Sequence, residues 1–146
     1  MPLAGYIIAG LAVGLAVLMA LSWILARRAI DTIEARFPPR AEFIAIDGVR
    51  LHLRQTGPAH GPAILVLHGA ASNLEEPHLA LGDTFSGERV LWLDRPGLGW
   101  SERPAGPWSP EREAKLIARL LETLEVGPVT VIGHSWGGAI ALRAPA

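Results

Sequence analysis

Residues 1–26 contain no charged side chain, and within them Leu3 to Ala26 is a 24-residue uncharged, mostly apolar run. At a rise of about 1.5 Å per residue such a run extends about 36 Å as a helix, enough to cross a hydrocarbon core with some tilt. A cleaved signal peptide is the main competitor. It calls for a basic stretch before the run and small residues at the cleavage site. Nothing basic precedes this run, and Trp23, Ile24, Leu25 and Arg27 near its end do not supply the small pair. The expectation is a single-pass membrane helix over residues 3–26. Arg27, Arg28, Arg36 and Arg40 outnumber Asp31 and Glu34 just after it. The positive-inside rule then places the rest of the chain on the cytoplasmic face. Gly10 and Gly14 fit the small-residue spacing at which such helices pair, although Gly is common in any membrane helix. Residues 27–40 read as a helical stalk ended by Pro38-Pro39.

Residues 41–146 have an ordinary globular composition, which excludes disorder for this part. The chain has no Cys, which excludes a disulfide scaffold and a thiolate metal site. A net charge of −1 argues against nucleic acid as a partner. No carboxylate or His pair has metal-ligand spacing, and no Gly-rich loop suits a phosphate; no cofactor is expected.

Phe43–Ile46, Asp47-Gly48 and Val49–Arg54 read as a β-hairpin, with Val49, Leu51 and Leu53 alternating with Arg50, His52 and Arg54. His52 is expected on the solvated face. Ala63–Leu67, Val90–Leu93 and Val129–Ile132 are continuous apolar runs, as in strands buried on both faces of a parallel sheet. Between the last two lies an amphipathic helix. Ser109 is its N-cap, Pro110 its first residue, and Ala114, Ile117, Leu120, Leu121 and Leu124 its apolar stripe, with Gly127-Pro128 as its stop. Residues 74–85 are a weaker helix interrupted by Pro77. This alternation predicts an α/β fold with a parallel sheet behind the hairpin.

The third strand runs into Gly133-His134-Ser135-Trp136-Gly137-Gly138. G-x-S-x-G between a strand and a helix makes a turn so sharp that only small residues fit beside the central one. Ser135 is thereby held out of the sheet at a helix N-terminus, where its oxygen can attack an acyl carbon. The other strands end in His68-Gly69-Ala70-Ala71 and in Asp94-Arg95-Pro96-Gly97-Leu98-Gly99-Trp100-Ser101. With these three motifs in this order, the sequence resembles the α/β-hydrolase fold family, in its lipase-, esterase- and epoxide-hydrolase-like branch. The resemblance covers about residues 41–144 and reaches only the family's N-terminal half.

The resemblance implies an oxyanion hole made by the backbone N–H groups of Ala70 and Trp136, with Gly69, Gly133 and Gly137 shaping the two turns. It implies a nucleophile at Ser135. Family members that open epoxides or displace halide carry Asp there, so Ser135 implies an acyl-enzyme and a small-molecule acyl substrate. His68 is expected to brace the oxyanion loop, and His134 to point away from the site. Asp94 and Arg95 are expected to fix their loop by a local ion pair or by backbone hydrogen bonds. Trp136 fits either an acyl pocket or packing.

The family's triad runs Ser, then Asp or Glu, then His. Eleven residues follow Ser135 and include no acid and no His, so the triad acid and His are absent. The strand at 129–132 has the apolar pattern of a central strand, and Pro145 would cut the nucleophile helix short. The expectation is an incomplete α/β-hydrolase fold: the first part of a membrane-anchored serine hydrolase, truncated after the nucleophile elbow and lacking the cap region. Its rivals are a non-catalytic membrane-tethered remnant, and a cofactor-free perhydrolase or C–C hydrolase on the same scaffold.

Overall fold

The computed structural model describes residues 3–143, and the chain divides into two compact units at Pro38/Pro39. The first is one helix, α1 (Leu3–Arg36), with no buried residue. Span and stalk are thus a single helix with no boundary near residue 26. It ends because Phe37 precedes Pro38, whose ring crowds helical backbone at the residue before it. By length and composition α1 is the one helix among the described residues suited to crossing a membrane.

The second unit is a five-stranded sheet in the order β1-β2-β4-β3-β5, built from β1 (Glu42–Ile46), β2 (Val49–Thr56), β3 (Ala63–Leu67), β4 (Arg89–Leu93) and β5 (Val129–Gly133). β1 and β2 form the expected hairpin, with Ile46 opposite Val49. Its two turn residues, Asp47 and Gly48, have φ of 50° and 76°, the pair of positive values that matches the twist of the flanking strands. The sheet is mixed rather than parallel throughout. β2 pairs antiparallel with β4, while β3 pairs parallel with both β4 and β5.

Both faces of the parallel part are covered, which explains its unbroken apolar runs. Leu65, Leu67, Leu91 and Leu93 pack with Ala114, Ile117, Leu120 and Ile140. These come from α3 (Pro110–Thr123) and α4 (Trp136–Ala141). The alternate residues Val66, Val90 and Trp92 pack on the other face with Leu74, Leu81 and Phe85, in and around α2 (Glu75–Leu81). At about 25 cal/mol per Å² of apolar surface, two covered faces supply most of what favours the fold.

Two local expectations are corrected. Pro77 does not interrupt α2, because it lies in the first turn, where no N–H is required. α3 stops at Thr123 rather than at Gly127-Pro128. Glu125 turns left-handed with φ of 49°, and Val126 N–H donates to Leu121 O at 3.2 Å, which closes the helix before the Gly-Pro pair. β5 has the apolar pattern of a central strand, yet it pairs only with β3 among the described residues and is half-buried, at the edge where the sequence leaves it without an outer neighbour. The break expected at Pro145 lies outside the described residues.

Candidate active site

The carboxyl ends of β3, β4 and β5 lie side by side, and each continues into one of the three motifs. Leu67 is opposite Leu93 on one side and Gly133 on the other. In parallel sheets with helices on both faces, this end is where sites are built.

The turn after β5 is tight. A Cβ on Gly133 would lie 2.5 Å from Gly137 C and from Gly138 N; one on Gly137 would lie 2.3 Å from Leu67 O. Neither position has room for a side chain. Between them Ser135 takes φ 52° and ψ −115°, a backbone state that L-residues adopt only under constraint. Ser135 is the N-cap of α4 yet makes no side-chain cap bond, and it is exposed. Its hydroxyl is therefore left free at a helix N-terminus.

The turn after β3 meets this elbow. His134 N–H donates to Leu67 O at 3.0 Å. A Cβ on Gly69 would lie 3.0 Å from His134 Nδ1 and 3.5 Å from Ser135 Cβ, so Gly69 keeps the two turns in contact. His134 therefore lies against the Gly69 backbone. Among the described residues, neither Ala70 N–H nor Trp136 N–H donates to a protein acceptor. Ala70 is exposed, and Trp136 is 47% exposed, so the indole is not buried in packing.

His68 is buried, and both of its ring nitrogens bond to backbone. Its Nε2 accepts from Arg95 N–H at 3.0 Å, so Nδ1 carries the proton and donates to Gly69 O at 2.9 Å. Burial holds the imidazole below the usual histidine range, outweighing the opposing effect of the Gly69 carbonyl.

The turn after β4 departs from expectation. Asp94 and Arg95 do not pair with each other; each reaches a different part of the fold. Asp94 accepts from Leu74 N–H at 2.7 Å, Trp100 N–H at 2.9 Å and His52 Nδ1–H at 2.7 Å. His52 is consequently 2% exposed rather than solvated, and its Nε2 accepts from Ala41 N–H at 3.2 Å. Alternation put His52 on the polar face of the hairpin, but the β4 loop covers that face at this point. Gly99 permits this loop, since a Cβ there would lie 2.3 Å from both Asp94 carboxylate oxygens.

Arg95 runs the other way. Its Nε donates to Glu113 Oε1 at 2.7 Å and its Nη2 to Oε2 at 3.3 Å, while Nη1 donates to His68 O at 3.2 Å and Gly69 O at 3.0 Å. Glu113 also accepts from Trp108 Nε1–H at 3.1 Å and is 1% exposed. From the sequence Glu113 reads only as a first-turn acid suited to the positive end of the α3 dipole, not as the partner of Arg95. The signal was present, because Glu113 stands three, four and seven residues before Leu116, Ile117 and Leu120, on the buried stripe of α3. A carboxylate on that stripe must have a partner.

The arrangement thus holds an unencumbered hydroxyl and two free backbone donors beside a saturated polar scaffold. His52 and His68 use both ring nitrogens, and Asp94 and Glu113 are fully engaged.

A sequence profile described as alpha/beta hydrolase fold matches residues 62–146. The chain is 39% identical over 85 residues to a poly(3-hydroxyalkanoate) depolymerase of Ectopseudomonas oleovorans, covering 58% of this chain and 30% of that protein. It is 30% identical over 105 residues to lipase LipV of Mycobacterium tuberculosis, covering 65% of this chain and 36% of the lipase. Among solved structures, an esterase from Exiguobacterium antarcticum superposes with a TM-score of 0.62 at 28% identity, covering 70% of this chain and 38% of the esterase. The epoxide hydrolase CorEH superposes with a TM-score of 0.64 at 29% identity, covering 70% and 35%. The chain spans about a third of the length of the relatives it matches.

Proposed function

This chain belongs to the α/β-hydrolase fold family, and on that premise we propose that it carries the nucleophile half of a membrane-anchored serine hydrolase. Ser135 Oγ attacks the carbonyl carbon of an ester or related acyl bond. The developing oxyanion accepts from Ala70 N–H and Trp136 N–H, donors of the kind typically worth about 3 to 4 kcal/mol each. The tetrahedral intermediate then expels the alcohol or amine, leaving an acyl group on Ser135 that water removes. The observation that most supports this reading is the constrained backbone of Ser135, with its hydroxyl free at the start of α4.

The hydroxyl needs a base to take its proton. His52 and His68 have no ring nitrogen to spare, so we assign the base and its acid to residues other than this polar scaffold. Residues 3–26 anchor the unit in a membrane with residues 41–146 on the cytoplasmic face, and Gly10 and Gly14 are the place where two such helices would meet. The full engagement of His52 and His68 in the polar scaffold favours the second reading, a membrane-tethered unit that does not catalyse.

A fluorophosphonate probe applied to membranes of the producing cell separates the two. The hydrolase reading expects a label on Ser135 that Ser135→Ala abolishes, on a chain that alkaline carbonate does not extract. The purified chain by itself should label far more slowly. No Ser135-dependent label in those membranes would leave the non-catalytic reading standing.

A further inference from the structure

We propose that the buried Arg95–Glu113 pair is a positioning device for the oxyanion hole, setting the direction and strength of the Ala70 N–H donor. Gly69 C=O and Ala70 N–H belong to one peptide group, and no peptide bond among the described residues is cis. In a trans peptide these two groups point in opposite directions. Whatever grips the Gly69 carbonyl therefore aims the Ala70 N–H the other way.

Two donors grip it: Arg95 Nη1 at 3.0 Å and His68 Nδ1 at 2.9 Å. Gly69 would otherwise be the freest residue of the loop, and Ala71 just beyond it already has a φ of 54°. The Arg95 donor is cationic, so it draws electron density toward the carbonyl oxygen and leaves the amide proton more positive. Hydrogen bonds that share a peptide group strengthen one another in this way.

Glu113 holds the guanidinium in place through two oxygens, with Trp108 Nε1 fixing the second of them. The arginine side chain is 4% exposed and the glutamate side chain 1%, so water does not loosen the fork. The path from Trp108 through Glu113 and Arg95 to Gly69 thus ties the start of α3 to the peptide after β3. Neither charged side chain needs to touch the substrate for this role.

The kinetic arm of the test rests on Ser135 being the nucleophile, and the spectroscopic arm does not. In the full chain in detergent micelles, labelled with ¹⁵N at Gly and Ala, the Ala70 amide resonance should move upfield and broaden in Glu113→Gln and Arg95→Gln. The Gly133 and Gly137 resonances should stay in place. In membranes where the wild type reacts, fluorophosphonate labelling of Ser135 should slow by about 10- to 100-fold in Arg95→Gln, less than or equal to the loss of one oxyanion donor. Arg95→Lys should restore part of the rate, since an ammonium can reach one carbonyl but not the whole fork. If Arg95→Gln fails to fold, Glu113→Gln, which keeps the shape of the carboxylate, decides the matter. An unmoved Ala70 resonance in a folded variant, or an unchanged labelling rate, overturns the proposal. Absence of labelling in the wild type would count against acyl transfer and leave the resonance of Ala70 to decide the positioning role.

Discussion

Gly137 approaches Leu67 so closely that a methyl group on its Cα would lie 2.3 Å from the Leu67 carbonyl oxygen. The clash is with backbone, which cannot swing aside as the end of a side chain can. Gly137→Ala must therefore separate α4 from β3. The expected loss is about 2 to 3 kcal/mol of stability, the upper range for forcing a methyl group into filled space. Gly138→Ala, whose nearest contact would be 3.2 Å from Gly133 O, should cost less. Denaturant midpoints of the two variants check the order.

Removing one member of the Arg95–Glu113 pair strands the other charge. Arg95→Met and Glu113→Leu should each cost about 3 to 5 kcal/mol. The double variant should be more stable than either single one, because it leaves no buried charge. A double-mutant cycle on unfolding free energies gives the coupling, and additive losses would mean that the two side chains act separately.

Asp94 accepts from one backbone N–H of the α2 segment, one of its own loop and the imidazole of β2. Asp94→Ala leaves two buried donors and one half-buried donor unpaired, with an expected loss of about 3 kcal/mol or more. Asp94→Asn should lose less, since its carbonyl oxygen still accepts. Thermal melting of the two variants tests the difference.

His68 gives the folded chain a pH dependence whose sign follows from burial. The folded imidazole takes up a proton less readily than the unfolded one. As pH falls below about 6.5, the unfolded chain binds protons that the folded chain refuses, so stability declines; above that value this contribution is flat. Glu102 and Glu111 are held below the ordinary glutamate value of 4.5, first by hydrogen bonds from the Arg50 and Glu111 backbone N–H groups respectively. Their stabilising contribution is lost only as pH falls further, below that value. Unfolding between pH 8 and pH 5 lies above the range in which these two glutamates act, and His68→Gln should reduce the slope between pH 6.5 and 5.

Glu125 ends α3 with a φ of 49°. Glu125→Gly removes the left-handed strain but loosens the unfolded chain, for a net gain of about 0.5 kcal/mol. A lower denaturant midpoint for the variant would contradict this.

Most of the layout is legible in the residues because its signals are local. Asp47-Gly48 announces the hairpin, Ser109-Pro110 the start of α3, and the small residues around Ser135 the elbow. Ser109 Oγ does accept from Arg112 N–H at 3.2 Å. What eludes a reading of the chain is set by partners distant in sequence. His52 looks solvated until the loop from β4 closes over it, and Arg95 looks like a neighbour for Asp94 until α3 brings Glu113 beneath it. The end of α3 eludes it for a different reason. Glycine is the usual left-handed residue, yet here a glutamate takes that state two positions ahead of Gly127, with Val126 completing the hydrogen-bonded cap.

The pairing of Ala63 with Val129 has a consequence in time. The hairpin closes a loop of two residues, β3 and β4 enclose α2, and β3 and β5 enclose everything between residues 63 and 129. The entropy lost on closing a loop grows with its length, and chains rich in remote pairings fold slowly. The β3–β5 pairing thus carries the largest loop-closure cost among the described strand pairs, and the constrained turn at Ser135 lies directly beyond it. The hairpin needs no such closure, because its two strands are joined by Asp47 and Gly48 alone.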